Sequence, residues 1–147
     1  MRFAHTNIVS TDWKKLVSFY EKTFDCKQVP PVRKQSGPWL DRGTGLKNAS
    51  LEGAHLLLPS CGRDGPTLEI YQYKNSVSQN PASPNLRGFG HIAFEVADVE
   101  KVLKNLIQNG GAASGQITEK EVPGVGTLTF VYARDPESNP IELQQWN

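Results

Sequence analysis

The chain has 147 residues, which is the size of a single domain. Its 16 Lys and Arg residues almost balance its 15 Asp and Glu residues, and no basic run supplies the positive patch that nucleic acid binding needs. Hydrophobic residues make up 37% of the chain, yet no apolar stretch approaches the roughly 20 residues needed to cross a bilayer. We therefore expect a soluble protein without nucleic acid or membrane partners.

The first half of the chain predicts four strands and one helix. A strand near residues 2–9 leads into a helix over 12–24, whose apolar residues form one stripe and for which Thr11 or Asp12 is available as N-cap. Three further strands are predicted by short apolar runs between Gly, Pro, Asn and Ser residues, near 27–34, 48–58 and 67–73.

The second half repeats this order. A strand near 88–96 precedes a helix over 98–109, which Asp98 can cap and Asn109-Gly110-Gly111 ends. Three more strands are predicted, near 115–122, 126–134 and 140–146.

Short motifs recur at equivalent places in the two halves. Phe3-Ala4-His5 recurs as Phe89-Gly90-His91, and the string from Leu68 to Tyr73 recurs from Ile141 to Trp146, with a glutamate second in each string. Such internal repetition predicts two βαβββ modules in an α+β fold. We expect a single domain over residues 1–147, with module 1 at about 1–73, a linker at about 74–87 and module 2 at about 88–147.

The location of the protein is predicted from its N-terminal residues and its cysteines. Residues 1–9 alternate as a strand does and lack the basic, apolar and cleavage regions of a signal peptide. Cys26 and Cys61 are the only cysteines and form no CxxC pair, which is typical of a reducing compartment. We expect a cytoplasmic protein in which both cysteines are small structural or surface residues.

The repeated polar residues are candidate metal ligands. Strand alternation places each of them opposite its aliphatic neighbours, on the face that the helices leave uncovered. Two imidazoles and two carboxylates suit a divalent transition metal. The predicted ligands are His5, Glu69, His91 and Glu142. His55 is interpreted as a hydrogen-bonded or solvent-facing residue.

These motifs resemble the vicinal oxygen chelate superfamily, which includes glyoxalase I, methylmalonyl-CoA epimerase, extradiol dioxygenases and the bleomycin and fosfomycin resistance proteins. The resemblance covers nearly the whole chain and rests on His5 in FAHTN, Glu69 in TLEIY, His91 in GFGHIAFEV and Glu142 in DPESNPIEL. It implies paired βαβββ modules whose curved mixed sheets enclose a metal-centred cavity, in which substrate oxygens bind the metal.

The ligand set is most similar to that of glyoxalase I, since methylmalonyl-CoA epimerase typically has Gln where this chain has Glu69. The resemblance implies a lyase or isomerase that moves a proton next to a metal-bound oxygen of a small carbonyl compound. Glu142 is the implied catalytic base, and Glu69 is a ligand or a second acid or base. Glyoxalase I carries Arg and Asn for glutathione where this chain has Val9 and Tyr73, so glutathione use is not implied.

Several alternatives stay open. The same fold serves small-molecule binding or resistance proteins and dioxygenases. Zinc, nickel, cobalt, manganese and iron all suit the ligand set. The resemblance implies a homodimer, and the four ligands assemble either within one chain or across the dimer.

Residues for substrate binding are predicted more loosely. Tyr71 and Tyr73 share the predicted face of Glu69 and are the candidate substrate-binding residues, ahead of Trp39. Five basic residues at strand ends or in loops are candidates for holding a carboxylate or phosphate: Arg33, Arg42, Lys47, Arg63 and Arg87.

Overall fold

The computed structural model describes residues 1–77, 83 and 85–147. The chain divides into two compact units, residues 1–79 (unit 1) and 80–147 (unit 2). The predicted linker at 74–87 includes residues 78–82 and 84, which lie outside the described residues.

Unit 1 is a four-stranded mixed sheet with two helices. Its elements are β1 (His5–Val9), α1 (Trp13–Phe24), β2 (Lys27–Ser36), α2 (Pro38–Thr44), β3 (Ser50–Leu57) and β4 (Thr67–Tyr73). The strand order is β1-β4-β3-β2, in which β1 is parallel to β4 and the other pairs are antiparallel. The parallel β1–β4 pair places the first and last strands of the unit side by side.

Unit 2 repeats this topology with one interrupted strand. Its elements are β5 (Ile92–Glu95), α3 (Val99–Gln108), β6 (Ala112–Ala113), β7 (Thr118–Val122), β8 (Gly126–Arg134) and β9 (Pro140–Trp146). The order is β5-β9-β8-β6, with β5 parallel to β9 and with β7 also paired to β8. Together β6 and β7 occupy the position that β2 has in unit 1. The predicted α+β fold of two βαβββ-like modules with mixed sheets is confirmed.

The two long helices follow the predicted pattern. The side chain of Asp12 accepts a hydrogen bond from the backbone nitrogen of Lys15 at 3.1 Å, and that of Asp98 accepts one from Lys101 at 2.9 Å, so both N-caps satisfy otherwise unpaired N–H groups. The apolar face of α1 is buried, and both its neighbours β3 and β4 contribute fully buried residues, among them Leu56, Leu68 and Ile70. All described helices are too short or too polar to serve as membrane spans.

Helix α2 lies between the strands predicted near 27–34 and 48–58, where the sequence predicts no helix. Pro38 occupies the first turn, where its missing N–H costs nothing, and Gly45 ends the helix in a left-handed conformation. Asp41 then accepts hydrogen bonds from the backbone nitrogens of Asn48 and Ala49, at 2.9 and 2.7 Å, which fixes the turn into β3. Seven residues are too few to show a helical period.

The two cysteines are expected to differ sharply in reactivity. Cys26 has no exposed surface, and burial, together with the charges of Asp25 and Glu21, raises the pKa of its thiol to about 12. Cys61 is exposed. Because the thiolate is the reacting form, titration of the native protein with a disulfide reagent should modify one thiol rapidly and the second only after unfolding. Cys61→Ser should remove the rapid phase, and rapid modification of two thiols in the native wild-type protein would contradict the expected burial of Cys26.

Candidate functional site

Unit 1 contains a cavity of about 420 Å³ on one face of its sheet. Leu68 and Ile70 are fully buried on the opposite face, so alternation along β4 directs Glu69 and Tyr71 into the cavity. The lining residues come from all four strands and from α2: His5, Asn7, Arg33, Gln35, Leu40, Leu51, His55, Glu69, Tyr71 and Tyr73.

Glu69 is held between two histidines. Its side chain is largely buried, and its Oε1 lies 3.3 Å from Nδ1 of His5 and 3.1 Å from Nε2 of His55. The same Nε2 of His55 lies 2.6 Å from the hydroxyl oxygen of Tyr71. His5, Glu69, His55 and Tyr71 thus form a continuous series of polar contacts along the cavity wall.

Burial shifts the pKa values of His55 and Tyr71 in the directions that favour their neutral forms. Desolvation lowers the pKa of His55, although the charge of Glu69 opposes this, and the positive charges of Arg33 and His5 add to the lowering. Desolvation and then the charge of Glu69 raise the pKa of Tyr71. Both pKa shifts favour the neutral forms of the imidazole and the phenol beside the Glu69 carboxyl group.

Unit 2 carries a second histidine–glutamate pair. Nε2 of His91, which directly precedes β5, lies 3.0 Å from Oε2 of Glu142 on β9. The ring of Tyr132 packs edge-on against His91, with ring centroids 5.2 Å apart. Burial, the charge of Glu142 and a hydrogen bond with it raise the pKa of Tyr132.

The turn between β8 and β9 fixes this register. Asp135 is almost fully buried, and its side chain accepts hydrogen bonds from the backbone nitrogens of Glu137 and Asn139 and from the Asn139 amide, all at 2.8–2.9 Å. With the turn held in this way, β9 pairs so that Tyr132 stands directly opposite Glu142.

The two pairs occupy equivalent register positions, but their third partners differ. In unit 1 His55 of β3 is opposite Glu69, whereas in unit 2 Tyr132 of β8 is opposite Glu142. The sequence interpretation left His55 outside the site. A usable signal was present, since the buried Ala54 and Leu56 flank His55 and so place it on the same face as Glu69.

Comparison with known proteins decides the family. The profile of the Glyoxalase/Bleomycin resistance protein/Dioxygenase superfamily matches residues 2–143. The chain belongs to this superfamily. Among curated protein sequences, none matches the chain significantly.

Solved structures of superfamily proteins share the fold. A glyoxalase family protein from Bacillus cereus is 21% identical, with a TM-score of 0.79 over 99% of this chain and 93% of its own. A glyoxalase/bleomycin resistance protein/dioxygenase domain from Frankia is 17% identical, with a TM-score of 0.62 over 100% and 98% of the two chains. A glyoxalase I mutant from Zea mays is 22% identical, with a TM-score of 0.64. The match covers 97% of the present chain and 44% of the maize chain.

Within each histidine–glutamate pair, the nitrogen and the oxygen are spaced as two ligands of one metal ion are. Two ligands bound at about 2.1 Å to one ion lie about 3 Å apart, which is the separation of nitrogen and oxygen in both histidine–glutamate pairs. Across the described parts of the chain, no three His, Cys, Asp or Glu residues are arranged as a complete metal site. Each pair therefore offers two ligands, and the prediction that His5, Glu69, His91 and Glu142 share one ion stays a prediction.

The residues predicted for substrate binding separate into two groups. Tyr71 and Tyr73 line the unit 1 cavity, whereas Trp39 is exposed and its neighbour Leu40 lines the cavity instead. Of the five basic candidates, Arg33 lines the cavity. The other four are exposed: Arg42, Lys47, Arg63 and Arg87.

Gly53 makes room for the ring of Tyr71. The two residues are paired across β3 and β4, and a Cβ atom at Gly53 would lie 2.0 Å from the carbonyl oxygen of Ile70 and 2.5 Å from Cδ1 of Tyr71. The absent side chain thus lets Tyr71 lie over β3, within reach of His55.

Gly53→Ala is expected to lower the free energy of unfolding by about 1–3 kcal/mol, because backbone and ring must both move apart. Denaturant titration measures the change. Gly43→Ala is the matched control: a Cβ atom at this position of α2 would have no neighbour within 4 Å, so the substitution should be stabilising by about 0.5–1 kcal/mol. Equal stability of the Gly53→Ala variant and the wild type would contradict the close approach of Tyr71.

Proposed function

We propose that this protein is a metal-dependent lyase or isomerase of the glyoxalase type, which transfers a proton at a carbon next to a carbonyl oxygen of a small substrate. The observation that carries the proposal is the recurrence of a histidine–glutamate contact at the same register position in both units. Retention of both pairs is the reason to favour an enzyme over a binding protein of the same fold.

Four side chains are proposed to hold the metal. His5 and Glu69 supply two ligands and His91 and Glu142 supply two, and imidazole with carboxylate accommodates zinc, nickel, cobalt, manganese or iron. A divalent ion supplies Lewis acidity, which stabilises negative charge on a substrate oxygen.

The surroundings of the two carboxylates support different roles. Glu69 contacts two imidazoles and is 8% exposed, so its position is strongly restrained. Glu142 contacts one imidazole and Tyr132, and it is less buried than Glu69. We therefore assign the proton transfer to Glu142 and a holding role to Glu69.

The test is the metal content of the untagged protein, measured by mass spectrometry beside Glu142→Ala and His91→Ala variants. About one divalent ion per chain is expected in the wild type, and loss of that ion in both variants. Glu121→Ala is the control, since Glu121 is an exposed residue of β7 in the same unit. The loaded protein is then screened with 2-oxo thioesters, hemithioacetals and acyl-CoA compounds.

A protein that takes up no metal after incubation with nickel, cobalt, zinc and manganese would refute this function. A small-molecule binding protein would then be the better account, because polar and aromatic side chains line the unit 1 cavity.

A further inference from the structure

We propose that Arg33 forms a subsite for a carboxylate group, so that the substrate is a small oxo acid. This inference rests on the proposed function, because it names the class of the carbonyl substrate. It is carried by the position of Arg33 in the unit 1 cavity and by the absence of an acidic partner for it among the described residues.

Arg33 belongs to the same cavity as Glu69 but to another strand. It lies on β2 opposite Gly53 of β3, which in turn lies opposite Tyr71 of β4. The pairing of β2 with β3 is interrupted after Val29, which is opposite His55, and it resumes at Arg33. In this segment β2 therefore has two residues more than β3, as in a β-bulge. Two strand spacings, about 10 Å, therefore separate the backbones of Arg33 and Tyr71, and Glu69 lies two residues away from Tyr71 on β4.

The guanidinium group of Arg33 has donors to offer a ligand. In the described part of the chain, no carboxylate forms an ion pair with it, and the hydrogen bond that it donates goes to the carbonyl oxygen of Pro31. A guanidinium carries five N–H donors in a planar fork, which matches the two oxygens of a carboxylate. Arg33 lines the cavity together with Tyr71, whose ring lies over Gly53.

The charge of the cavity favours a monoanion over a dianion. Arg33 is the one Lys or Arg among the cavity-lining residues described, and Glu69 adds a negative charge to the same space. Neutral amide and phenol groups complete the polar lining: Asn7, Gln35, Tyr71 and Tyr73. One arginine balances the single charge of a carboxylate, whereas a phosphate dianion would leave excess negative charge beside Glu69.

A single cavity thus has a basic part on β2 and an acidic part, with two histidines, on β1, β3 and β4. A compound with a carboxylate at one end and a carbonyl group a few bonds away would place its charge at Arg33 and its carbonyl group toward Glu69, which is a proposed metal ligand. A volume of about 420 Å³ suits a metabolite-sized molecule of this kind.

The test is a binding titration of the whole protein with 4-oxopentanoate, in which binding is measured by ligand-detected NMR. The uncharged 4-oxopentanamide is the matched ligand, because it has the same shape without the negative charge. The Kd for 4-oxopentanoate should rise about tenfold in Arg33→Met, and wild type should bind the amide about tenfold more weakly than the acid, since charge-assisted hydrogen bonds are lost in both cases. Lys34→Met is the control, because it removes a neighbouring positive charge that faces Glu52 outside the cavity.

Three results would overturn the subsite: no saturable binding of 4-oxopentanoate, equal affinity of wild type for acid and amide, or an unchanged Kd in Arg33→Met. Stronger displacement of the probe by inorganic phosphate than by acetate would overturn the carboxylate assignment. Binding requires no turnover, so Arg33-dependent binding by a protein that holds no metal would refute the proposed function and leave the carboxylate subsite standing. Metal uptake without Arg33-dependent binding would overturn the subsite and leave the proposed function standing.

Discussion

Replacing Glu142 with glutamine is expected to slow turnover by about 10²–10⁴-fold, the usual contribution of a positioned general base. Glutamine has the same shape and keeps an oxygen that can face His91, but its amide does not accept a proton at neutral pH. The rate is measured with the substrate class that the screen identifies. Incorporation of solvent deuterium at the substrate carbon should fall in parallel, because it reports the proton transfer directly.

A slower rate in Glu142→Gln could come from loss of the base or from loss of the metal ion, and the two causes must be distinguished. Metal content of Glu142→Gln is therefore measured on the same preparation, and the rate is expressed per bound ion. Glu121→Gln, the same substitution at an exposed position of unit 2, should keep the wild-type rate. A Glu142→Gln variant that holds metal and turns over at close to the wild-type rate would remove Glu142 from the proton transfer.

Leu56→Ala is expected to lower the free energy of unfolding by about 2–5 kcal/mol. Leu56 is fully buried on β3 and is paired with Leu68 of β4, which is also fully buried, on the sheet face that α1 covers. Removal of three side-chain carbons there loses apolar burial and leaves a cavity that the neighbouring strands cannot close. The change is measured by denaturant titration monitored by circular dichroism.

The control for Leu56 is the same substitution at a position that does not pack. Leu46 follows α2 and is about half exposed, so Leu46→Ala should change the free energy of unfolding by less than about 0.5 kcal/mol. A loss below about 1 kcal/mol in Leu56→Ala would show that this face of the sheet is not the core of unit 1.

The fold was largely predictable because its signals are local. The stripes of α1 and α3, the caps Asp12 and Asp98 and the repeated strand strings are all visible in short windows of sequence. Helix α2 was not predictable because a single seven-residue stretch shows no helical period. The division of one strand into β6 and β7 depends on pairing with β8, which a short window of sequence does not reveal.

The candidate site was predictable only in part. Alternation predicts that Glu69 and Glu142 point away from their aliphatic neighbours, and in the structure His5 contacts Glu69 and His91 contacts Glu142. The contact of His55 with Glu69 depends on the register of β3 against β4, which follows from the whole sheet rather than from residues 50–57. The selection of Arg33 among five basic residues likewise required the pairing of β2 with β3.

The shared register of His55 and Tyr132 has an evolutionary consequence. Each residue faces the glutamate of its own unit from a strand whose backbone hydrogen bonds do not depend on which side chain is present. A single codon change at this position can therefore alter the polarity and proton affinity beside a carboxylate without disturbing the sheet. Because the module occurs twice, the side chain beside the glutamate of one unit can change while that of the other unit is kept.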